Sequence, residues 1–373
     1  MRIELIETAQ GFSTLRPMWD DLQMRAEWTS VFMSWDWQYH WWRVYGGNHR
    51  LQIVVVFEGE TVIGILPLYL RRELIIGPLS AQVLRFVGTG GDTYPDDLGP
   101  LLDTRFKREA AAALARFVIS DRPMWDALLL TDLPLGAPFI DSMIEAATIG
   151  GFRLNRAVSA YIRFLELPTS FEALLASFSR NRRWRFRRDR RKIEEQFQTR
   201  FFVWRDPVEL NRAVDRLVEL HHARWQAAGQ RHSFASPEYV NFHRSVIQAC
   251  LEHDWLRLYC LEVDGQLAAM SYCYRFRNQV FLMQSGFDPT LADWSPGSVL
   301  LGYAIEHMIA EGNHILDFLR GEHRYKDELA TSTREAISLT GWRLTPGGLA
   351  ARLRWFWAPQ LRSWLRMMTR KHS

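Results

Sequence analysis

Apolar positions along the chain follow two periods. In the first half, helical spacing predicts helices near 12–27, 36–45, 104–119 and 138–149. Aliphatic and β-branched runs predict strands near 2–6, 51–57, 61–70, 126–131 and 160–166. In the second half, helices are predicted near 206–228, 237–253 and 297–311. Strands are predicted near 199–204, 256–263, 267–276, 279–286, 314–319 and 337–344. Three consecutive strands, a helix and another strand imply a mixed sheet flanked by helices, an α/β fold of the α+β kind.

The two halves share a layout. Ser34-Trp35-Asp36-Trp37 opens a helical stretch that leads to QIVVVFEG (52–59) and TVIGILPLYL (61–70). Ser236-Pro237-Glu238-Tyr239 opens another, leading to LYCLEVDG (258–265) and QLAAMSYCYRF (266–276). In each copy a serine suits the helix cap and an acid follows in the first turn. A strand, a tight Glu-Gly or Asp-Gly turn and a returning strand then follow. The pattern predicts a duplicated α/β domain, with halves at 1–166 and 167–345. Thr169 and Glu172 have capping-box spacing for a long helix over 170–196. The tail, 346–373, mixes Arg with Trp, Phe, Leu and Met, which suits an interfacial helix or a strip packed on the protein.

Composition narrows the class. Hydrophobic content of 47% with 24% charged residues is globular. The longest apolar runs are too short to span a bilayer, and MRIELIETAQ lacks a basic-then-apolar leader pattern, so a cytoplasmic protein is expected. Cys250, Cys260 and Cys273 form no CxxC pair and read as buried free thiols. The 11 histidines lack metal spacing, so no metal is expected. Net charge is +4, but RNRRWRFRRDRRK (180–192) alone carries nine Lys/Arg and one Asp. That segment is therefore +8 and the remainder −4. Arg187, Arg188 and their neighbours, interleaved with Trp184 and Phe186, suit an anionic acceptor or an anionic membrane surface such as the inner membrane's. Nucleic acid is the lesser reading.

Candidate chemistry gathers between Gln284 and Glu328. Ser295 reads as the cap of a helix whose first turn holds Pro296, Gly297 and Ser298, and such a start favours an anion. A charged cluster, Asp317, Arg320, Glu322, His323, Arg324, Tyr325 and Lys326, follows a short strand. Glu322 or Asp317 suits a proton acceptor, and Arg320 suits a carboxylate or phosphate. His221, His222, Arg224 and Trp225 end a helix before a loop fit to close over an acceptor. In the loop 87–100, Asp92, Tyr94 and Asp97 are candidates for shaping an acceptor groove, and the spacing is not that of a phosphate loop. No Ser-His-Asp or Cys-His nucleophile arrangement is visible.

Four stretches resemble a known family: RNRRWRFRRDRRKIEE (180–195), HHARWQAAGQRHSFASPEYVNFH (221–243), GFDPTLADWSPGSVLL (286–301) and DFLRGEHRYKDE (317–328). FMSWDWQYHWWRVYGG (32–47) and VIGILPLYL (62–70) also fit. They look like the GNAT acyltransferase superfamily, and more narrowly the acetyltransferase-like proteins of CelD type, relatives of the Fem peptidyltransferases. The resemblance implies two tandem GNAT-like domains. It implies an acyltransferase that moves an acyl group from acetyl-CoA or another acyl-CoA to an amine or hydroxyl, with a small-molecule or glycan-precursor acceptor in polysaccharide or envelope synthesis. It places Gln284 and Ser285 where the central strand splays, Ser295, Gly297 and Ser298 at the pyrophosphate, and Tyr325-Lys326 near the transferred carbonyl. The glycine-rich CoA signature is absent, Gly297 being the sole glycine of that helix start. An aminoacyl-tRNA donor, as in Fem proteins, and a non-catalytic membrane scaffold are the alternatives.

Overall fold

The computed structural model describes residues 1–121, 124–229, 233–321 and 323–357. The first repeat runs β1 (Arg2–Ile6), α1 (Ala9–Thr14), α2 (Arg16–Arg25), α3 (Trp35–Tyr45), β2 (Arg50–Glu58) and β3 (Thr61–Ile76). It continues through β4 (Leu79–Phe86), β5 (Leu101–Leu102), α4 (Lys107–Arg116), β6 (Ala127–Pro134), α5 (Pro138–Ile149) and β7 (Asn155–Glu166). The second runs α6 (Phe171–Ser177), α7 (Arg180–Gln196), β8 (Thr199–Trp204), α8 (Leu210–Ala227), α9 (Pro237–Glu252) and β9 (Leu256–Val263). It continues through β10 (Gln266–Phe276), β11 (Gln279–Phe287), α10 (Pro296–Ala310), β12 (Ile315–Asp317), α11 (Arg324–Leu329) and β13 (Ser332–Trp342). A last helix, α12, covers Pro346–Arg352.

The expected duplication has clear local causes. Ser34 accepts a hydrogen bond from the Trp37 amide and Ser236 from the Tyr239 amide, so both matching helices start on a serine cap. Both hairpins turn in two residues. In the second, Asp264 and Gly265 both have positive φ (49° and 77°), the pair of conformations a tight hairpin turn needs. β2 is buried along its whole middle, as a central strand covered on both faces should be.

The chain forms two compact units, residues 161–334 and residues 1–160 with the chain from 335 onward. In the first unit the strand order is β1-β2-β3-β4-β6-β13, with β5 on β3; β4 and β6 are parallel. In the second it is β7-β12-β11-β10-β9-β8, with β11 and β12 parallel. The last strand of each repeat is therefore exchanged. β7 ends the first repeat yet pairs with β12 through Glu166↔Ile315 and Phe164↔Asp317. β13 ends the second yet pairs with β6 from Ala336↔Pro134 to Trp342↔Ala127. This exchange puts the limits of the second unit earlier than the 167–345 read from the sequence.

Other elements depart from expectation. The strand read as 61–70 continues to Ile76, and β4 was not foreseen. The helix expected to run unbroken over 170–196 is two helices. Ser170, not Thr169, caps α6 through the Ala173 amide, Phe178 is extended (φ −78°, ψ 156°), and Ser179 caps α7. The break lets Phe178 turn into the core and stack on Phe186 at 5.8 Å. Of the basic tail, α12 packs Ala350 and Ala351 against Ile75, Val83 and Ala127; residues 358–373 lie outside the described residues. Trp19, Trp37 and Trp41 are fully buried core. The three cysteines are buried and free, and burial raises the thiols of Cys260 and Cys273. Among the described residues no helix is long and apolar enough to cross a membrane, and no cluster of His, Cys, Asp and Glu has metal-site geometry.

Candidate active site

The site lies within the second unit, where two parallel strands part. β11 and β12 pair only over Gln279↔Ile315, Val280↔Leu316 and Phe281↔Asp317. β12 ends there because Leu319 turns the chain at φ 56°. The rest of β11, Leu282 to Phe287, keeps β10 on one edge and leaves the other open. At this end of the sheet lies a cavity of about 250 Å³ lined by Met270 and Ser271 of β10, Ser285 and Gly286 of β11, Ser295 to Ser298 at the start of α10, Arg224 of α8 and Tyr325 of α11.

Gly286 is required by that construction. A Cβ there would lie 2.3 Å from the His221 amide nitrogen and 2.5 Å from the Leu220 carbonyl carbon, so only glycine lets α8 lie on the strand. The close approach aims the end of α8 at the opening. Arg224 donates from Nη1 to the Ser285 hydroxyl (2.8 Å) and the Ser285 carbonyl (3.3 Å). It has no carboxylate partner among the described residues. Its guanidinium is half-buried, and burial lowers its pKa while nearby Tyr325 opposes that shift. A cation held this way is stabilised by an anion brought by a ligand. Tyr325 faces the same cavity. Burial pushes its phenol up to about 12, with Arg224 opposing, so the hydroxyl is a proton donor at neutral pH.

The helix start is less of an anion cradle than the sequence suggested. Ser295 is left-handed (φ 53°, ψ 48°) and makes no side-chain cap, contrary to the expected role. Pro296 has no amide hydrogen, and the Ser298 amide is already bonded to the Ser295 carbonyl at 2.9 Å. Gly297 is then the first-turn donor that remains, and a Cβ on it would meet Phe287 at 3.2 Å.

Other candidate residues are placed elsewhere. Lys326 is 4% exposed, and its ammonium donates to the carbonyls of Leu319 (3.1 Å) and Arg320 (2.7 Å), so it clamps the loop and lines no part of the cavity. Asp317 accepts from Arg334 (2.8 Å) and from the Leu319 amide (2.7 Å), and this pairing takes it away from proton transfer. Gln284 turns toward α8 and α9, with its amide 3.0 Å from both His221 Nε2 and the Tyr239 hydroxyl. Trp225 donates to the same His221 nitrogen at 3.0 Å. Gln284 Nε2 donates to the Tyr239 hydroxyl, and Gln284 Oε1 is the atom that meets His221 Nε2. Trp225 is thus part of a buried network, while His222, next on the helix, is exposed. The Arg320 side chain is half-buried and lies outside the cavity lining. Glu322 lies outside the described residues.

In the basic helix, Arg185 pairs with Glu328 (3.0 Å) and Arg190 with Glu306 (2.8 Å). Arg188 bonds Asp189 (2.5 Å) and lies 4.6 Å over Trp184, which is 59% exposed. Arg187 borders a second cavity under α7 and also the outward face. In the first unit, Asp97 is buried and Tyr94 is 70% exposed; the loop lines none of the cavities described here. Neither the role of Gly286 nor the absence of a carboxylate partner for Arg224 among the described residues was foreseen. An isolated glycine inside a strand pattern was the available signal for the first.

Residues 180–327 match the family model described as "Acetyltransferase (GNAT) domain". FemX has the same fold, with a TM-score of 0.61 at 11% identity over 91% of this chain and 97% of that one. Two further structures share it. The C-terminal domain of a putative lysylphosphatidylglycerol synthetase from Agrobacterium fabrum has a TM-score of 0.52 at 11% identity, over 88% of this chain and 92% of that one. L-PGS from Bacillus licheniformis has a TM-score of 0.52 at 10% identity, over 91% and 96%. No curated protein matches the chain. Residues 180–327 thus match the acetyltransferase (GNAT) domain model, and the chain shares its α/β fold with FemX.

Proposed function

We propose that the chain transfers an acyl group from an acyl-CoA thioester to an amine or hydroxyl at the cavity formed by β10, β11 and the start of α10. The observation that carries this reading is the half-buried Arg224, without a carboxylate partner among the described residues, beside the neutral Tyr325 phenol. Arg224 holds an anionic group of the donor. The acceptor attacks the thioester carbonyl, a C–N or C–O bond forms and the C–S bond breaks. The departing thiolate takes the Tyr325 proton, and the acceptor gives up its own proton to water or a base. No covalent enzyme intermediate is needed. The finer placement among CelD-type proteins of envelope polysaccharide synthesis, on the cytoplasmic side, rests on sequence resemblance. Thermal stabilisation of the purified chain by CoA, acetyl-CoA and a longer acyl-CoA tests the donor. Stabilisation that Arg224→Met lowers is expected; no shift with any of the three sinks the donor assignment.

A second reading, of the basic helix α7, is favoured by one observation. The start of α10 keeps Gly297 as its free first-turn amide, a poor cradle for a pyrophosphate, whereas α7 is strongly basic. An aminoacyl-tRNA ester fits those features, as does an anionic lipid surface under Arg180, Arg188 and Arg191. We favour the lipid surface because Trp184 stands exposed among these cations. Co-sedimentation with phosphatidylglycerol vesicles, reduced in Arg188→Gln/Arg191→Gln, is expected. Salt-dependent tRNA binding that is lost in Arg187→Gln/Arg188→Gln, with no vesicle binding, reverses the order.

A further inference from the structure

Beneath α7 lies a second cavity, of about 320 Å³, within the size range of small-molecule sites at roughly 300–1,000 Å³. Its floor is apolar, made by Phe171 and Leu175 of α6, Phe186 of α7, Val299 of α10 and Leu329 of α11. Gly302 sets its depth, since a Cβ there would meet Phe186 at 3.3 Å. It shares Ser298, Leu301 and Tyr325 with the cavity at the parted strands, so the two spaces meet at the Tyr325 side chain.

The rim is cationic in a selective way. Of its four arginines, Arg185 and Arg190 are held by Glu328 and Glu306. Arg182 packs over the Phe178 ring at 5.0 Å, and neither Arg182 nor Arg187 has a carboxylate partner among the described residues. The remaining acids on the lining are Glu172, which is exposed, and Asp189, which Arg188 already engages. The apolar space is thus closed by two committed ion pairs and bordered by two uncommitted guanidiniums.

We infer that this cavity binds the acceptor, and that the acceptor is a single-chain phosphate amphiphile. Its apolar chain lies under α7, its phosphate meets Arg182 and Arg187, and its reacting end points to Tyr325. Apolar burial supplies affinity and the planar guanidiniums select the anionic head. This assignment rests on the acyl-transfer reading above only for the word acceptor; the binding itself does not depend on it.

Isothermal titration of the full chain with dodecyl phosphate, below its micelle concentration, tests the inference alongside butyl phosphate and dodecyl maltoside. Dodecyl phosphate is expected to bind, with both controls weaker by about ten-fold or more, since each lacks one half of the recognition. Arg182→Gln/Arg187→Gln, the first half-buried and the second exposed, is expected to lower dodecyl phosphate affinity about ten-fold with an unchanged circular dichroism spectrum. Butyl phosphate or dodecyl maltoside binding as well as dodecyl phosphate overturns the inference, as does unaltered affinity in the double variant. Displacement by dodecanoyl-CoA but not by acetyl-CoA assigns the cavity to the donor's chain and overturns the acceptor assignment. These outcomes are independent of whether CoA stabilises the chain through Arg224, so the two readings fail separately.

Discussion

Tyr325 and Lys326 show what one residue of offset decides. On a helix, consecutive side chains point about 100° apart, so an adjacent pair can take quite different surroundings. The sequence marked the pair without telling which member faces in. The structure turns the phenol to the cavity and spends the ammonium on the Leu319 and Arg320 carbonyls. Tyr325→Phe is therefore expected to lower kcat by about 10²-fold or more while leaving the folded state intact, as checked by turnover and thermal melting. An acid works only while protonated. With its pKa raised from 10 to about 12, its contribution to the rate persists through pH 10 and falls as pH rises toward 12. A pH–rate profile with an alkaline limb below 10 that Tyr325→Phe abolishes would contradict this. Arg224 was visible in the sequence as a basic residue near a helix end. Its lack of a carboxylate partner among the described residues was not, because that depends on which acids the fold brings near.

At the scale of elements, capping serines, hairpin turns and the order of helices and strands were legible, because each rests on chemistry within a few residues. Failures came where packing overrode local preference. Phe178 broke a helix that composition favoured, and Ser295 took a left-handed backbone in place of a cap. The junction of α10 with β9 carries a separate consequence. Arg257, 2% exposed, donates from Nε to both Glu311 oxygens at 3.0 Å and also binds Asp254. Burial would raise the Glu311 carboxyl, but His307 and Arg257 outweigh it and bring it to about 2, below the ordinary 4.5. Its stabilising contribution is then present above pH 4.5 and is lost as pH falls from 4.5 toward 2. Glu311→Gln strands the buried guanidinium and is expected to cost about 3 kcal/mol, with a flattened acid limb of stability in denaturant titrations. A loss under 1 kcal/mol would show that Asp254 alone holds Arg257.

For the whole molecule, the duplication was legible but the destination of its terminal strands was not. A strand's sequence tells that it will be paired, yet not with which neighbour, since β7 and β13 have apolar partners available in more than one place. A chain ending at residue 334 keeps all of the second unit and removes β13 from β6. β6 is buried over most of its length, so its bared edge is expected to drive aggregation, read by light scattering after purification. A monodisperse, cooperatively melting product would refute this. The exchanged strands also constrain how such a chain arose. A gene for one repeat, standing alone, encodes a sheet that is finished by a strand from elsewhere. The simplest source is a second copy of itself, trading ends reciprocally in a twofold pair. The present chain then has the layout of two such copies joined end to end, whose halves became free to diverge.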